Sequence, residues 1–158
     1  MTPILVLGLG NPLRGDDGFA QCVLAELERE NLGSHVLLRD GGTAGLEIVN
    51  LLQGWTTVII IDALDFGAQP GQVRCMPLDA AQVRKHPVSS NALHSAGLIE
   101  ALALAEALGT LPEHLTLVGV QPRVLQYVPS LSDEVRAAVP VAVRAIVNVL
   151  RARQNPAI

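Results

Sequence analysis

Unbroken apolar stretches alternate along this chain with segments whose apolar positions recur every three to four residues. The first kind suits strands buried on both faces of a sheet, and the second suits helices with one face on a core. Residues 4–9 (ILVLGL), 57–63 (TVIIIDA) and 115–120 (LTLVGV) are of the first kind. The middle one is the clearest, being largely β-branched. Residues 36–39 make a shorter strand and residues 72–77 a further one, while helical patterns cover residues 18–30, 44–53, 94–108 and 132–153. Pro140 lies inside the last helix and is predicted to kink or divide it. The turn LDFGAQPG leaves no room for a helix between strands 57–63 and 72–77. Those two strands are therefore predicted to pair antiparallel.

The βαβαβ alternation predicts a single α/β domain over residues 1–158, with a mainly parallel sheet and helices on both faces. In the common wiring the first strand lies beside the third, and a crevice opens beyond their carboxyl ends. Asp17 follows the first strand and Asp62 ends the third. Residues far apart in sequence are thus predicted to face each other across one crevice, expected to be open to solvent.

Composition narrows the function. Hydrophobic residues make up 49% of the 158, enough for one sizeable core without disulfide staples. No apolar run approaches the ~18 residues of a membrane span, and no signal-peptide layout opens the sequence. The chain is expected to be cytoplasmic and monomeric. Its net charge of −4 and lack of a Lys/Arg stripe exclude a nucleic-acid partner. Cys22 and Cys75 form no CxxC pair, and neither lies beside a histidine. They are expected to be free thiols.

The opening GLGNPLRGDDGF resembles a nucleotide-binding glycine loop, but Leu13 stands where GxGxxG requires its last glycine. Asp16 and Asp17 would also repel a pyrophosphate. One acid at a helix start caps exposed N–H groups, and Asp16 suits that task. Two acids exceed what a cap requires. Asp62 ends an apolar strand, where a carboxylate must pair, accept hydrogen bonds or bind a metal. His94, in NALHSAGL, stands at a helix entrance from which an imidazole can reach the same crevice. Two carboxylates and one imidazole suit a borderline divalent ion with coordination positions left open. No G-x-S-x-G elbow offers a serine nucleophile.

GLGNPLRGDDGF, DGGTAGLE, IIIDALDFGAQPG, HSAGL and LVGVQP occur in that order between residues 8 and 122. Together they resemble the [NiFe]-hydrogenase maturation endopeptidases. The resemblance implies a three-layer α/β/α sandwich around a twisted, mainly parallel five-stranded sheet with one antiparallel strand. It implies removal of a short C-terminal extension from the hydrogenase large-subunit precursor after nickel insertion. By the same resemblance Asp17, Asp62 and His94 are the metal-contacting and catalytic positions, the first being Glu in some members and Asp in others. Asp16 and Asn11 support the loop, and Asp40, Gly41 and Gly42 lie near the substrate channel. Nickel is expected to arrive with the precursor, with no organic cofactor. It would act as a Lewis acid or as a recognition anchor with an Asp as general base. Two other readings share features. GLGNP also opens peptidyl-tRNA hydrolases, but those require a histidine soon after the loop, and residues 16–30 contain none. A non-catalytic module binding nickel or the large subunit would dispense with ligands that this chain keeps.

Overall fold

The computed structural model describes residues 2–85 and 96–154. Five strands, β1 (Ile4–Leu9), β2 (Val36–Gly42), β3 (Thr57–Ala63), β4 (Val73–Leu78) and β5 (His114–Val120), form one sheet in the order β2-β1-β3-β5-β4. The first three and β5 run parallel, and β4 is antiparallel to β5. The helices are α1 (Phe19–Leu27), α2 (Ile48–Leu52), α3 (Ala80–Lys85), α4 (Ala96–Ala107) and α5 (Asp133–Gln154). Short 3₁₀ turns, Gly15–Gly18 and Gly45–Glu47, lead into α1 and α2.

Alternation along the strands builds the three layers. Every residue of β1 and β3 is buried, and successive side chains go to opposite faces. Val6, Ile59 and Ile61 pack with Phe19, Val23 and Leu27 of α1 and with Val135, Val139 and Ile146 of α5. Leu5, Leu7, Val58 and Ile60 pack on the other face with Leu52 of α2 and Leu98 and Leu102 of α4. Gly8 lets α1 lie close on β1, since a Cβ there would come within 2.6 Å of the Leu24 side chain. A fully buried central pair fixes whatever follows its carboxyl ends.

The structure departs from the sequence expectation at four points. First, β3 and β4 do not pair, because β5 lies between them. A strand buried on both faces must be central, and the 64–72 loop is long enough to step over it. The loop is held to β5 by Gln121, whose Oε1 accepts from the N–H groups of Phe66 (2.9 Å) and Ala68 (3.1 Å). Second, α5 is not divided at Pro140. The proline is on the exposed face, opposite Ala138, Ala142 and Ile146, so the carbonyl it leaves unbonded lies on the solvent side. Third, β2 continues past Arg39 to Gly42. Fourth, a short helix, α3, occupies residues with no expected element. The 44–53 helix is a 3₁₀ turn followed by α2, and the first two residues expected in helix 94–108 lie outside the described residues.

Candidate active site

The loop after β1 turns back on itself at Gly10, whose φ of 131° no other residue adopts readily. A Cβ at Gly10 would sit 2.0 Å from the Asp17 carbonyl oxygen. The Gly10 N–H donates to the carbonyl of Gly42 at the end of β2 (2.9 Å). Gly10 thus brings the 3₁₀ turn carrying Asp16 and Asp17 against the carboxyl ends of β1 and β2.

Adjacent acids on that turn face different partners. Three residues per turn set neighbouring side chains about 120° apart. Asp16 is fully buried. Its Oδ2 accepts from the N–H groups of Arg123 and Val124, both at 2.8 Å, and from the Ser132 hydroxyl at 2.9 Å. Its Oδ1 accepts from the Ser132 N–H at 2.7 Å. Backbone bonds from Gly15 to Val128 and from Asp16 to Val124 complete the join. Asp16 therefore ties the 3₁₀ turn to the segment between β5 and α5. Asp17 turns the other way, and its Oδ2 accepts from the Asn11 N–H at 2.9 Å. The Asn11 side chain in turn accepts from the Leu13 N–H.

Asp17 lines a cleft of about 200 Å³ with Asp62, Arg14, Leu9, Gly10, Ile48, the 42–45 segment, Gly97 and Leu98. The two predicted acids therefore meet where the topology of the sheet places them. They are less accessible than expected: Asp17 is 8% exposed and Asp62 5%. At Gly10 the backbone closes on Asp17, where a Cβ would also come within 3.2 Å of the Asp17 carboxylate. Burial pushes the Asp62 carboxyl well above its ordinary range, the charge of Asp17 pushes it further, and a backbone hydrogen bond at Ala63 pulls it back. Like-charged carboxylates in one desolvated cleft resist joint ionisation. A cation placed between them removes that resistance, and so does a proton on one of them.

His94 lies outside the described residues. Among the described residues no three His, Cys, Asp or Glu side chains are grouped to hold a metal ion. Of the predicted substrate-channel residues, Gly42 lines the cleft, with a φ of 54°, and Asp40 and Gly41 precede it on β2. Gly41 faces inward, where a Cβ would come within 3.0 Å of Leu7 and Leu9. Asp40 is exposed, and its Oδ1 accepts from the Gly42 N–H (2.9 Å) and from Gln21 Nε2 (3.0 Å). Gln21 Nε2 also donates to the Gly10 carbonyl. Gln21 joins the β2 end to the β1 loop, and the sequence offered no signal for it beyond one polar residue on a helix. Arg14, likewise unforeseen, lines the cleft while its guanidinium lies 5.3 Å from the Tyr127 ring centroid and donates to the Leu125 carbonyl.

The same α/β architecture occurs in solved peptidases. The hydrogenase maturating endopeptidase HybD from E. coli superposes with a TM-score of 0.80 at 31% identity, covering 95% of this chain and 93% of that one. The fold is thus that of a small α/β peptidase. The chain belongs to the hydrogenase maturation protease family, since the HycI family model matches residues 22–149. The hydrogenase expression/formation protein HupD of Rhizobium leguminosarum is 38% identical over 151 residues, spanning 94% of this chain and 74% of its own length. HoxM of Cupriavidus necator is 35% identical over 150 residues, with the same coverage.

Two variants separate the roles of the acids. Asp16→Ala leaves three partly buried backbone donors, on Arg123, Val124 and Ser132, without their acceptor, at up to roughly 1–3 kcal/mol each. Urea denaturation is expected to show a loss of at least about 3 kcal/mol. A loss below about 1 kcal/mol would mean that water replaces the carboxylate and that Asp16 does not hold the loop. Asp62→Asn should behave oppositely. With its pKa raised in the folded state, Asp62 favours folding most below its ordinary value of about 3.8, and that contribution is lost as pH rises through the folded value. Asparagine does not titrate. The Tm of the variant relative to the parent should therefore climb from pH 4 to pH 8 and be no lower than the parent's at pH 8. A drop of several degrees at pH 8 would make Asp62 a structural anchor.

Proposed function

We propose that this chain removes the C-terminal extension from the precursor of a [NiFe]-hydrogenase large subunit once nickel has been inserted, and that it reads the nickel carried by that precursor. The observation supporting this is the pair of buried carboxylates, Asp17 and Asp62, in one cleft. Such a pair favours a divalent cation over any neutral or anionic group. In this reading His94 is the third ligand. Gly97 and Leu98, soon after it in sequence, line the cleft.

Two carboxylates and one imidazole leave coordination positions open, and the precursor's own ligands fill them. Nickel seated there supplies Lewis acidity at the scissile carbonyl. The chain's part is to anchor the ion, orient the peptide across Gly42, and take a proton from the attacking water on a cleft carboxylate. Asp40, Gly41 and Gly42 shape the channel by which the peptide enters. The reaction belongs in the cytoplasm, where precursor and nickel meet, and one copy of the chain suffices for it.

The incomplete ligand set has a consequence for metal content. A site with open positions binds free nickel weakly, so the purified chain should be largely metal-free. Prolonged chelation of the chain alone, followed by removal of the chelator, should leave its cutting of nickel-loaded precursor unchanged, as read by the mass of the product. Loss of cutting that added zinc or nickel restores would instead establish a resident catalytic metal. With the same assay, Asp62→Asn should cut at least ~100-fold more slowly while remaining folded. Near-normal cutting by that variant would remove Asp62 from the chemistry.

A further inference from the structure

β2 forms one edge of the sheet, and among the described residues no strand pairs with its outer side. The register shows which backbone groups are left over. Ile4 pairs with Val36, and its N–H donates to the His35 carbonyl at 2.9 Å. In a parallel ladder alternate residues turn both backbone groups to the same neighbour. Leu37 and Arg39 therefore bond to β1, while Leu38 and Asp40 direct their N–H and C=O groups outward. The Val36 N–H is already bonded to the Gly33 carbonyl at 3.2 Å. The open ladder thus begins at the Val36 carbonyl and ends at Asp40. Beyond it the register shifts, and the Gly42 carbonyl turns back to Gly10.

An unpaired strand edge is a template for another strand, and proteins usually blunt it with proline, charge or a bulge. β4, the opposite edge, contains Pro77. β2 has no proline; its charges, Arg39 and Asp40, and its register shift come only at its carboxyl end, and its outward ladder leads to Gly42, which lines the cleft of Asp17 and Asp62. Asp40 secures that junction through its bonds to Gly42 and Gln21. Leu37 pairs with Leu5 and so shares its face, the one covered elsewhere by α2 and α4, yet it is 47% exposed. The edge is continuous with the cleft and carries an apolar side chain beside it.

We propose that β2 receives the C-terminal extension of the precursor as an added antiparallel strand. This rests on the substrate assignment above. In this proposal the folded part of the precursor, with its metal centre, occupies the mouth of the cleft and leaves the edge of β2 to the chain beyond it. That chain is the extension past the scissile bond. It leaves the cleft at the carboxyl end of β2 and runs away from it, hence opposite to β2. Antiparallel addition pairs its backbone with Leu38 and Asp40. These bonds supply affinity that is indifferent to sequence, and Leu37 offers contact to alternate side chains of the tail.

Amide exchange resolved to single residues, pulsed during turnover of the wild-type chain with excess nickel-loaded precursor, tests this. The Leu38 and Asp40 amides should slow by about tenfold or more, while those of Leu37 and Arg39, already bonded to β1, change little. Mature subunit lacking the extension should leave all four unchanged. If precursor is cut while Leu38 and Asp40 exchange as in the free chain, the edge is not the docking site, and the substrate assignment stands. Equal slowing with mature subunit would assign the edge to the folded body and overturn the added strand. A wild-type chain that does not cut the precursor would overturn the substrate assignment, and the added strand with it.

Discussion

The structure is organised around holding two like charges where water cannot easily reach them. Asp17 and Asp62 come from separate elements, and the ion pairs found among the described residues involve neither of them. Left to itself, such an arrangement relaxes by moving one carboxylate to solvent. Here both are prevented from moving. Asp62 ends a strand buried along its whole length and paired on both sides. Asp17 sits on a turn whose preceding residue is bonded four times to the segment before α5. The free energy that keeps the acids together comes from the two apolar layers and from Asp16, not from the acids.

This explains the doubled aspartate. On a 3₁₀ turn, adjacent carboxylates cannot serve the same partner. One is consumed in joining the turn to the segment before α5, and the other accepts the Asn11 N–H within its own loop and lines the cleft. A single acid would have to choose between anchoring the loop and facing the cleft. The same separation recurs at the end of β2, where Asp40 secures the Gly42 turn and glycine backbone, rather than a side chain, borders the cleft. Small residues admit backbone close to the acids, and polar side chains one step away keep that backbone in place.

The sequence made the central architecture legible because burial on both faces leaves an unmistakable trace. β1, β3 and β5 each read as unbroken apolar runs, and parallel wiring then brought Asp17 and Asp62 to one crevice. Partner choice was less legible. An apolar strand declares that it has neighbours but not which ones, so β4 was assigned to β3 although β5 intervenes. The end of β2 was hidden for another reason: Asp-Gly-Gly has the composition of a turn, yet the register shift opposite Gly8 and Leu9 keeps it within the sheet. Asp16 was recognisable as a support, but its acceptor role could not be placed, since Arg123 lies 107 residues away. Gln21 and Gln121 are single polar residues with no periodic signal. They matter because each satisfies backbone groups where two chain segments cross.

In the proposed reading, rigidity and weak metal affinity have the same origin. A closed structural site gains stability from its ion, and the ion becomes part of the fold. In this chain the scaffold around Asp17 and Asp62 is complete without one: the turn, the strand end and the glycine loop are each held by protein hydrogen bonds. A cation entering the cleft therefore finds both carboxylates already in position. What it gains is relief of the repulsion between two carboxylates, which a proton also provides. The proposed discrimination between a precursor with its metal and one without would follow from that competition. An empty precursor offers the cleft nothing that a proton does not, whereas a loaded one brings charge, further ligands and the peptide in a single encounter. A chain that kept its own metal would already have satisfied the carboxylates, and would have lost the means to tell the two precursors apart.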